Sequence, residues 1–262
     1  MSTLRVMTFN IHGTYNWERR ITLNVAAIKR ATPDLIGFQE LQAENLAVYK
    51  QQLPKYDYDL GPGTDDEEEY VYNAIFWKPK RLTRMASGGF WLSETPDSPS
   101  LGWDALTLRT AQWAQFRIVE TGKELVHCNT HLDHRIERAR VEGVKLILQR
   151  LAQLHSNDLP VILTGDFNCN PDTAAYRLLL ENGFVDAYRF TGHADKEYVQ
   201  TDKGDSEFSN TVHAYGWTKA SSSGAKITGS MRFDWLMFRD HTEQLHPVGC
   251  EIMRDAQPPL YP

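Results

Sequence analysis

Polar side chains recur at the carboxyl ends of the apolar runs in this chain, which is where open α/β folds collect their ligand groups. In PVILTGDFNCNP (160–171), Asp166 and Asn168 follow such a run two residues apart. Asn10, Glu40 and His131 end three other runs. Oxygen-bearing side chains of this kind suit a hard cation such as Mg²⁺, which takes one or two carboxylates and leaves its other positions to water and phosphate. Glu40 with Asn10 fits that sparse requirement.

Most of these residues also have a purely structural explanation. Asn10 can form a turn, and Glu40 can open the next helix. Asp166 and Asn168 can form Asx turns. Asp234 is harder to explain in this way, because it lies within the apolar run MRFDWLMF and must be paired or coordinated if it is buried. Convergence on one cleft accounts for all of these residues together.

Other reactive centres find less support. HCNTHLDH (127–134) carries three histidines, but on a strand His127 and His131 would be about 13 Å apart at roughly 3.3 Å per residue, too far to share one zinc ion. Taken alone, His131 is more simply a structural histidine. The sequence has no G-x-S-x-G turn, and Cys169 lacks an evident base partner. Zinc and nucleophile chemistry are therefore disfavoured.

Short apolar runs predict the strands that position these side chains, at 4–10, 34–40, 71–77, 111–119, 125–132, 160–166 and 231–238. Helical periodicity predicts helices at 20–31, 42–53, 135–154 and 172–182. The segments 61–69 and 93–105 are predicted to be solvated loops, and 218–230 a flexible connection. The pattern favours an α/β fold of two sheets sandwiched between helices. No composition break or repeat divides 1–262, so we expect a single domain.

Composition narrows the functional class. With 28 Lys plus Arg against 34 Asp plus Glu, the net charge is -6, which disfavours a protein that wraps duplex DNA. Three cysteines in no close motif fit a reducing compartment. The N-terminus lacks an apolar signal core, and no run approaches the roughly 18 apolar residues that span a membrane. We expect a cytoplasmic monomer that does not bind membranes.

Five motifs in order resemble those of the endonuclease/exonuclease/phosphatase superfamily, which has the DNase I-like fold. They are TFNIHG (8–13), GFQE (37–40), NTHLDH (129–134), LTGDFN (163–168) and RFDWL (232–236). The segment 88–116 is similar to a mostly bacterial branch of that superfamily. The resemblance implies a four-layer α/β sandwich, in which two mixed β-sheets pack face to face with helices on both outer sides.

The resemblance also implies roles for the residues at the strand ends, in a hydrolysis of phosphoester bonds that depends on Mg²⁺, with Mn²⁺ as a substitute. Glu40 would be the principal metal ligand and Asn10 its support. His131 would donate to a phosphoryl oxygen. Asp166 would orient or deprotonate the attacking water, and Asn168 would hold the phosphate or that water. The period-two geometry of a strand would send Asp166 and Asn168 to the same side.

Two further residues take their expected roles from the resemblance. Arg109 would contact phosphate, although a surface position on a strand would also explain it. Asp234 would orient a histidine from an Asp-His pair near the C-terminus. This sequence stops at PPLYP, where that pair would begin, so we expect the natural chain to continue past Pro262 with a Ser-Asp-His segment. The dipeptide Asp240-His241 is no substitute, because it lies six residues beyond Asp234 at the end of the same strand.

We therefore predict a metal-dependent phosphoesterase whose substrate is a nucleic acid end, a nucleotide, or a sugar or lipid headgroup phosphate. The acidic composition favours a small or single-stranded substrate. Tyr15 and Trp17 could stack on a base, or could simply pack their loop. The alternative function is a catalytically idle protein that kept the fold and binds a phosphate ligand. The joint presence of Glu40, His131, Asp166 and Asn168 argues against that alternative.

Overall fold

The computed structural model describes residues 3–66, 69–154, 159–196, 200–201, 204–205, 211 and 232–253. The strands in this part of the chain are β1 (Val6–Asn10), β2 (Leu35–Gln39), β3 (Asp57–Asp59), β4 (Gly63–Asp66), β5 (Glu69–Tyr72), β6 (Ile75–Trp77), β7 (Leu82–Trp91), β8 (Thr110–Ile118), β9 (Glu124–His131), β10 (Val161–Asp166), β11 (Val185–Asp186), β12 (Gln200–Thr201), β13 (Gly204–Asp205) and β14 (Asp234–Arg239). Its helices are α1 (Trp17–Ala31), α2 (Ala43–Gln52), α3 (Glu137–Gln153), α4 (Ala174–Glu181) and α5 (Ala187–Phe190).

Two large mixed sheets form the centre of the molecule. The first has the order β1-β2-β6-β3, with β1 and β2 parallel and the other neighbours antiparallel. The second has the order β11-β14-β10-β9-β8-β7, with β9 and β10 parallel. In each sheet, the parallel pair brings the carboxyl ends of two strands to one edge. The chemistry-bearing residues of the sequence follow those ends.

Three layers of buried apolar side chains separate four layers of secondary structure. Helices α1 and α2 cover the outer face of the first sheet, where Ile28 and Tyr49 pack with Phe38. Helices α3 and α4 cover the second sheet through Ile147 and Leu179. The layer between the sheets contains Leu35, Ile75, Trp77, Leu82, Ala114, Phe116, Leu125 and Ile162. The predicted four-layer sandwich with helices on both outer sides is therefore confirmed.

A buried polar network also joins the two sheets, and Asn129 of β9 is its centre. The Asn129 side-chain amide donates to the carbonyl oxygens of Phe38 in β2 at 2.7 Å and of Ala74, just before β6, at 3.2 Å. Its oxygen accepts from Gln39 Nε2 of β2 at 2.7 Å and from the hydroxyl of Thr164 in β10 at 3.0 Å. One asparagine thus satisfies groups of both sheets where apolar packing alone would leave them without partners.

The network needs space, and Gly37 of β2 provides it. A Cβ atom at this position would lie 2.3 Å from Thr164 Oγ1 and 2.4 Å from Asn129 Oδ1, closer than real side chains approach. The glycine therefore serves close packing of the sheets around Asn129. The same hydroxyl of Thr164 lies 2.8 Å from Nε2 of the buried His127, whose pKa burial lowers to about 3. His127 is therefore a neutral histidine within the buried network.

The predicted helices are confirmed with shifts of a few residues at their ends. The predicted strand 71–77 is wrong as a single element, because Asn73 interrupts it: its buried side chain donates to the Thr110 carbonyl oxygen at 2.9 Å. Residues before Asn73 belong to the β4-β5 hairpin, and β6 joins the first sheet. The prediction of 61–69 as a loop is also wrong, because this segment includes β4 and the first residue of β5.

Strand β7 was missed by the sequence patterns, because LTRMASGGFW has two glycines and no alternation of apolar residues. The segment between β7 and β8 contains no helix or strand, as predicted for 93–105. The segment 218–230 lies outside the described residues. Among the helices that are described, none is long and apolar enough to cross a membrane.

We expect Asn129→Ala to lower the free energy of unfolding by about 2 to 4 kcal/mol, because it leaves several buried polar groups of both sheets unsatisfied. Urea denaturation followed by circular dichroism measures the change. The matched control is Asn182→Ala, since the exposed Asn182 also donates to a backbone carbonyl at 2.9 Å and its loss should cost less than about 1 kcal/mol. Equal effects of the two substitutions would show that the network does not hold the sheets together.

Candidate active site

The candidate site lies where the carboxyl ends of β1 and β2 face those of β9 and β10. Asn10 ends β1, and its side-chain amide donates to Glu40 Oε1 at 3.0 Å and to Asp166 Oδ2 at 2.9 Å. Glu40 follows β2 in the first sheet, whereas Asp166 ends β10 in the second. A single amide group therefore bridges the two halves of the site.

Glu40 has an unusual backbone conformation for a glutamate. Its φ of 59° lies in the left-handed region, which costs non-glycine residues roughly 1 to 2 kcal/mol. The next residue holds it there, because Leu41 and Tyr72 exchange two backbone hydrogen bonds at 3.1 and 2.8 Å. Strain of this kind is concentrated at functional sites, and here it accompanies the carboxylate that faces Asn10.

His131 ends β9 and lies beside Asp166 in the parallel register. Its Nε2 is 3.7 Å from Asp166 Oδ2 and 2.8 Å from the side-chain nitrogen of Asn168. Asn168 also donates through that nitrogen to the Leu132 carbonyl oxygen at 2.9 Å. The structure thus brings together three of the residues predicted from the strand ends.

Asp166 and Asn168 converge for a different reason from the predicted one. Strand β10 ends at Asp166, and Asn168 has a left-handed φ of 50°. Its backbone N–H donates to Asp166 Oδ1 at 2.8 Å, which is the geometry of an Asx turn. The period-two explanation is therefore wrong, although the expected proximity of the two side chains is observed.

Arg109 directly precedes β8 and points into the site. Its Nη1 lies 3.1 Å from His131 Nδ1, and its Nη2 lies 3.4 Å from His134 Nδ1. No carboxylate of the described residues forms an ion pair with this guanidinium, and its buried Nε has no hydrogen-bond partner among them. The alternative of a surface position on a strand is therefore wrong. The charges of Asp166, Glu40 and Asp133 act on Arg109 without a direct ion pair.

The ring of His131 lies between two N–H donors. Arg109 can only donate to Nδ1, and the Asn168 nitrogen faces Nε2. Burial lowers the pKa of His131 well below its usual range, and the charges of Arg109 and His134 lower it further, so the ring is neutral. A neutral imidazole has one acceptor nitrogen, so it satisfies one of these two donors at a time.

Asp234 belongs to a strand, as predicted, but it is the first residue of β14 and not an interior one. Because β14 is antiparallel to β10, its first residue is the register partner of Asp166 at the site. Asp234 Oδ1 is buried and has no hydrogen-bond partner among the described residues. Burial raises the pKa of Asp234 well above its usual range, and the charges of Asp166 and Glu40 raise it further. The Asp-His pair expected to contact Asp234 would follow Pro262, and residues 254–262 lie outside the described part of the chain.

The charges of this site suit a divalent cation. Burial also raises the pKa of Asp166, to which Glu40 contributes, so three nearby carboxylates are set against one guanidinium. In the part of the chain that the structure describes, no three His, Cys, Asp or Glu side chains form a closed metal cage. An ion held by Glu40 and Asn10, with water and substrate in its other positions, is what Mg²⁺ prefers. The donor set therefore fits the predicted metal.

The sequence patterns missed two neighbours of Arg109. Asp133 is buried, and its carboxylate accepts backbone N–H groups from Arg135 at 2.8 Å, Ile136 at 2.6 Å and Leu106 at 3.4 Å. It thereby ties the loop before Arg109 to the turn that follows β9. His134 is the second neighbour. Both residues stand directly after His131 in NTHLDH, and that proximity was the available signal.

The structure also shows the positions of four other residues considered in the sequence analysis. Trp17 is buried and packs edge-on against Tyr49 at 5.7 Å, so the structural explanation is correct for it. Tyr15 remains largely exposed. The Asp240-His241 dipeptide lies at the far end of β14 from Asp234, where the Asp240 carboxylate accepts local backbone N–H groups.

Comparison with known proteins gives a consistent result. A model of the Endonuclease/Exonuclease/phosphatase family matches residues 7–255. The mannosyl-6-phosphatase of Bacteroides thetaiotaomicron has a similar structure, with a TM-score of 0.73 and 27% identity, covering 91% of this chain and 86% of that one. An uncharacterized protein of Acanthamoeba polyphaga mimivirus is 28% identical over 194 residues, 70% of each protein. Protein angel of Drosophila melanogaster is 29% identical over 193 residues, 67% of this chain and 51% of that protein.

We expect Arg109→Ala to raise the pKa of His131, because the positive guanidinium beside Nδ1 disfavours the protonated ring. The pKa should stay below the ordinary value near 6.5, since burial is the larger cause. NMR titration of histidine-labelled protein measures both. Arg138→Ala is the control, because the exposed Arg138 pairs with Asp104 at 2.9 Å. An unchanged His131 titration in Arg109→Ala would contradict the electrostatic account of this contact.

Proposed function

The chain belongs to the endonuclease/exonuclease/phosphatase family and hydrolyses phosphoester bonds, and we propose that it does so by in-line attack of water at the site around Asp166. The observation that carries this proposal is the side chain of Asn10, which joins Glu40 of the first sheet to Asp166 of the second. The side-chain amide of Asn10 thereby holds the proposed metal ligand, Glu40, close to the group proposed to activate water, Asp166. Such fixed geometry is the main requirement of phosphoryl transfer.

Arg109 and His131 form the phosphate side of the proposed site. A guanidinium without a carboxylate in direct contact, next to neutral imidazoles, leaves N–H donors for the oxygens of a phosphoryl group. When Arg109 donates to a phosphoryl oxygen, His131 Nδ1 no longer has to accept from it. The ring can then accept from Asn168 through Nε2 and donate through Nδ1 to the substrate. The two competing donors around His131 are satisfied only in that state.

Asp166 is the residue proposed to orient the attacking water and to take its proton. Asn168 N–H fixes one carboxylate oxygen and Asn10 Nδ2 the other, so the carboxylate has a set direction. Burial raises its pKa, which makes it a better proton acceptor than a solvated aspartate. The negative charge of Glu40 raises the pKa of Asp166 further, and Asp234 lies next to Asp166 across the sheet.

Glu40 and Asn10 are proposed to hold Mg²⁺, for which Mn²⁺ would substitute. The bound ion would polarise a phosphoryl oxygen and offset the charge that develops in the transition state. The proposed substrate is a small phosphorylated molecule or a single-stranded nucleic acid. The net charge of -6 and the similarity to a mannosyl-6-phosphatase support a substrate of that size.

Mg²⁺-dependent release of nitrophenol from p-nitrophenyl phosphate and bis-p-nitrophenyl phosphate tests the proposed function directly. We expect Glu40→Gln to weaken Mg²⁺ binding in calorimetry and to abolish Mg²⁺-dependent turnover, because it removes the principal carboxylate ligand. The matched control is Glu44→Gln, since Glu44 is an exposed residue of α2. Unchanged Mg²⁺ affinity in Glu40→Gln would refute the metal assignment.

Asp166→Asn should lower turnover by about 10²- to 10⁴-fold with little change in KM, because proton transfer to the carboxylate contributes only in the transition state. Steady-state kinetics on the better reporter measures both constants. Asp57→Asn, at an exposed position of β3, controls for the change of charge. A loss of less than tenfold would remove Asp166 from the mechanism.

A further inference from the structure

The guanidinium of Arg109 stands between two imidazoles, of which the proposed mechanism uses one. Its Nη1 lies 3.1 Å from Nδ1 of the buried His131, and its Nη2 lies 3.4 Å from Nδ1 of the exposed His134. Arg109 is the one hydrogen-bond partner that the described residues give the His134 ring. His134 is therefore the outer member of a set of three N–H-bearing side chains that begins beside Asp166.

A buried carboxylate holds His134 in place relative to Arg109. Asp133 Oδ1 accepts the backbone N–H groups of the two residues that directly follow His134, at 2.8 and 2.6 Å. Its Oδ2 accepts the N–H of Leu106, three residues before Arg109, at 3.4 Å. The backbone that carries the exposed imidazole and the loop that leads to the guanidinium are thus fixed by the same side chain.

The charges that act on His134 are mainly positive. Partial desolvation lowers the pKa of His134, and the charge of Arg109 lowers it further. Arg135 and Arg140 act in the same direction, and Asp133 opposes them. The negative charge of a phosphate bound to the guanidinium would offset these cations and favour a protonated ring, which donates from both nitrogens.

The number of donors distinguishes two classes of phosphoester. A transferred phosphoryl group has three equatorial oxygens, and in a phosphodiester one of them carries a second ester group. In the proposed function the ion at Glu40 and Asn10 takes one oxygen. The fork of Arg109 matches two neighbouring oxygens, with His131 beside one of its nitrogens and His134 beside the other. All three oxygens of a monoester would then have partners, whereas a diester would bring an ester group against one of the donors.

We propose that His134 is a substrate-binding residue that, together with Arg109, contacts the third free oxygen of a terminal phosphate, so that the protein acts on phosphomonoesters in preference to phosphodiesters. This inference rests on the proposed function for the position of the phosphate. It narrows the substrate to a molecule with a terminal phosphate and removes the internal linkages of a strand. Asp133 would be a positioning residue.

Two reporters that differ by one methyl group test this inference on the full chain with Mg²⁺. p-Nitrophenyl phosphate and methyl p-nitrophenyl phosphate release the same leaving group, but the methyl ester lacks the third free oxygen. We expect His134→Ala to lower kcat/KM for p-nitrophenyl phosphate by about 10- to 100-fold, because a hydrogen bond to a charged group is lost. For the methyl ester the change should stay within about twofold.

Two further variants separate the contact from other effects of the substitution. His241→Ala is the matched control, since His241 is also an exposed histidine but follows the end of β14 that is remote from Asp234. It should leave both reporters unchanged. His134→Gln should recover part of the loss with p-nitrophenyl phosphate, because an amide N–H can donate in place of the ring.

Calorimetry gives a readout that does not depend on hydrolysis. The Asp166→Asn protein, which prevents turnover, is titrated in Mg²⁺ buffer with phenyl phosphate and with methyl phenyl phosphate. Addition of His134→Ala should weaken the binding of phenyl phosphate by about 10- to 100-fold and leave the methyl ester unchanged.

Several results would overturn the role of His134. They are equal losses with the two reporters in His134→Ala, an unchanged kcat/KM for p-nitrophenyl phosphate in that variant, or a preference of the parent protein for the methyl ester. The proposed function fails separately. Binding of phenyl phosphate that depends on His134, without Mg²⁺-dependent hydrolysis of either reporter, would refute the hydrolytic mechanism alone. Hydrolysis of both reporters that is independent of His134 would refute the present inference alone.

Discussion

The hydrogen bonds of Asn129 are the constraint on which the rest of the molecule depends. The site is assembled from two sheets that are not continuous with each other, so its geometry is only as good as their alignment. Apolar packing between sheets is non-directional and tolerates sliding, whereas an amide with four partners does not. The network includes Gln39, which precedes Glu40, and Thr164, which stands two residues before Asp166. The hydrogen bonds that align the two sheets therefore also align the reactive groups.

Electrostatics of the site oppose folding and favour binding. Asp166 and Asp234 are brought together beside Glu40, burial penalises the charge of both aspartates, and Arg109 is the cation that lies nearest to balance them. A chain selected for stability alone would neutralise such a cluster with a second cation or with apolar residues. The proposed divalent ion would offset the excess of carboxylate charge, and a phosphoryl group would accept hydrogen bonds from the guanidinium of Arg109.

The sequence was sufficient for the layers and for most members of the site, because both depend on strong local signals. Apolar runs and helical periodicity locate the central strands and helices, and Asn10, Glu40, His131 and Asp166 stand at ends that such runs define. The partners that act across the fold were not predictable. Asn129 is a polar residue inside a strand until its partners in the other sheet are known, and β7 gains its order only by pairing with β8. Arg109 likewise needed the structure, since its direction depends on a loop without periodicity.

The left-handed backbone conformations explain how strand ends become a reactive surface. His12, Glu40 and Asn168 each have a φ between 50° and 59°, and each lies within two residues of the end of a strand that contributes to the site. A strand that continued straight would carry these side chains past one another. The left-handed residue turns the chain away abruptly and leaves the preceding polar group at the edge. Each turn costs roughly 1 to 2 kcal/mol, and local hydrogen bonds such as His12 N–H to Asn10 Oδ1 and Asn168 N–H to Asp166 Oδ1 offset part of that cost. The strain is therefore a consequence of gathering polar groups at one edge, and it is tolerable because the two sheets beneath are fixed.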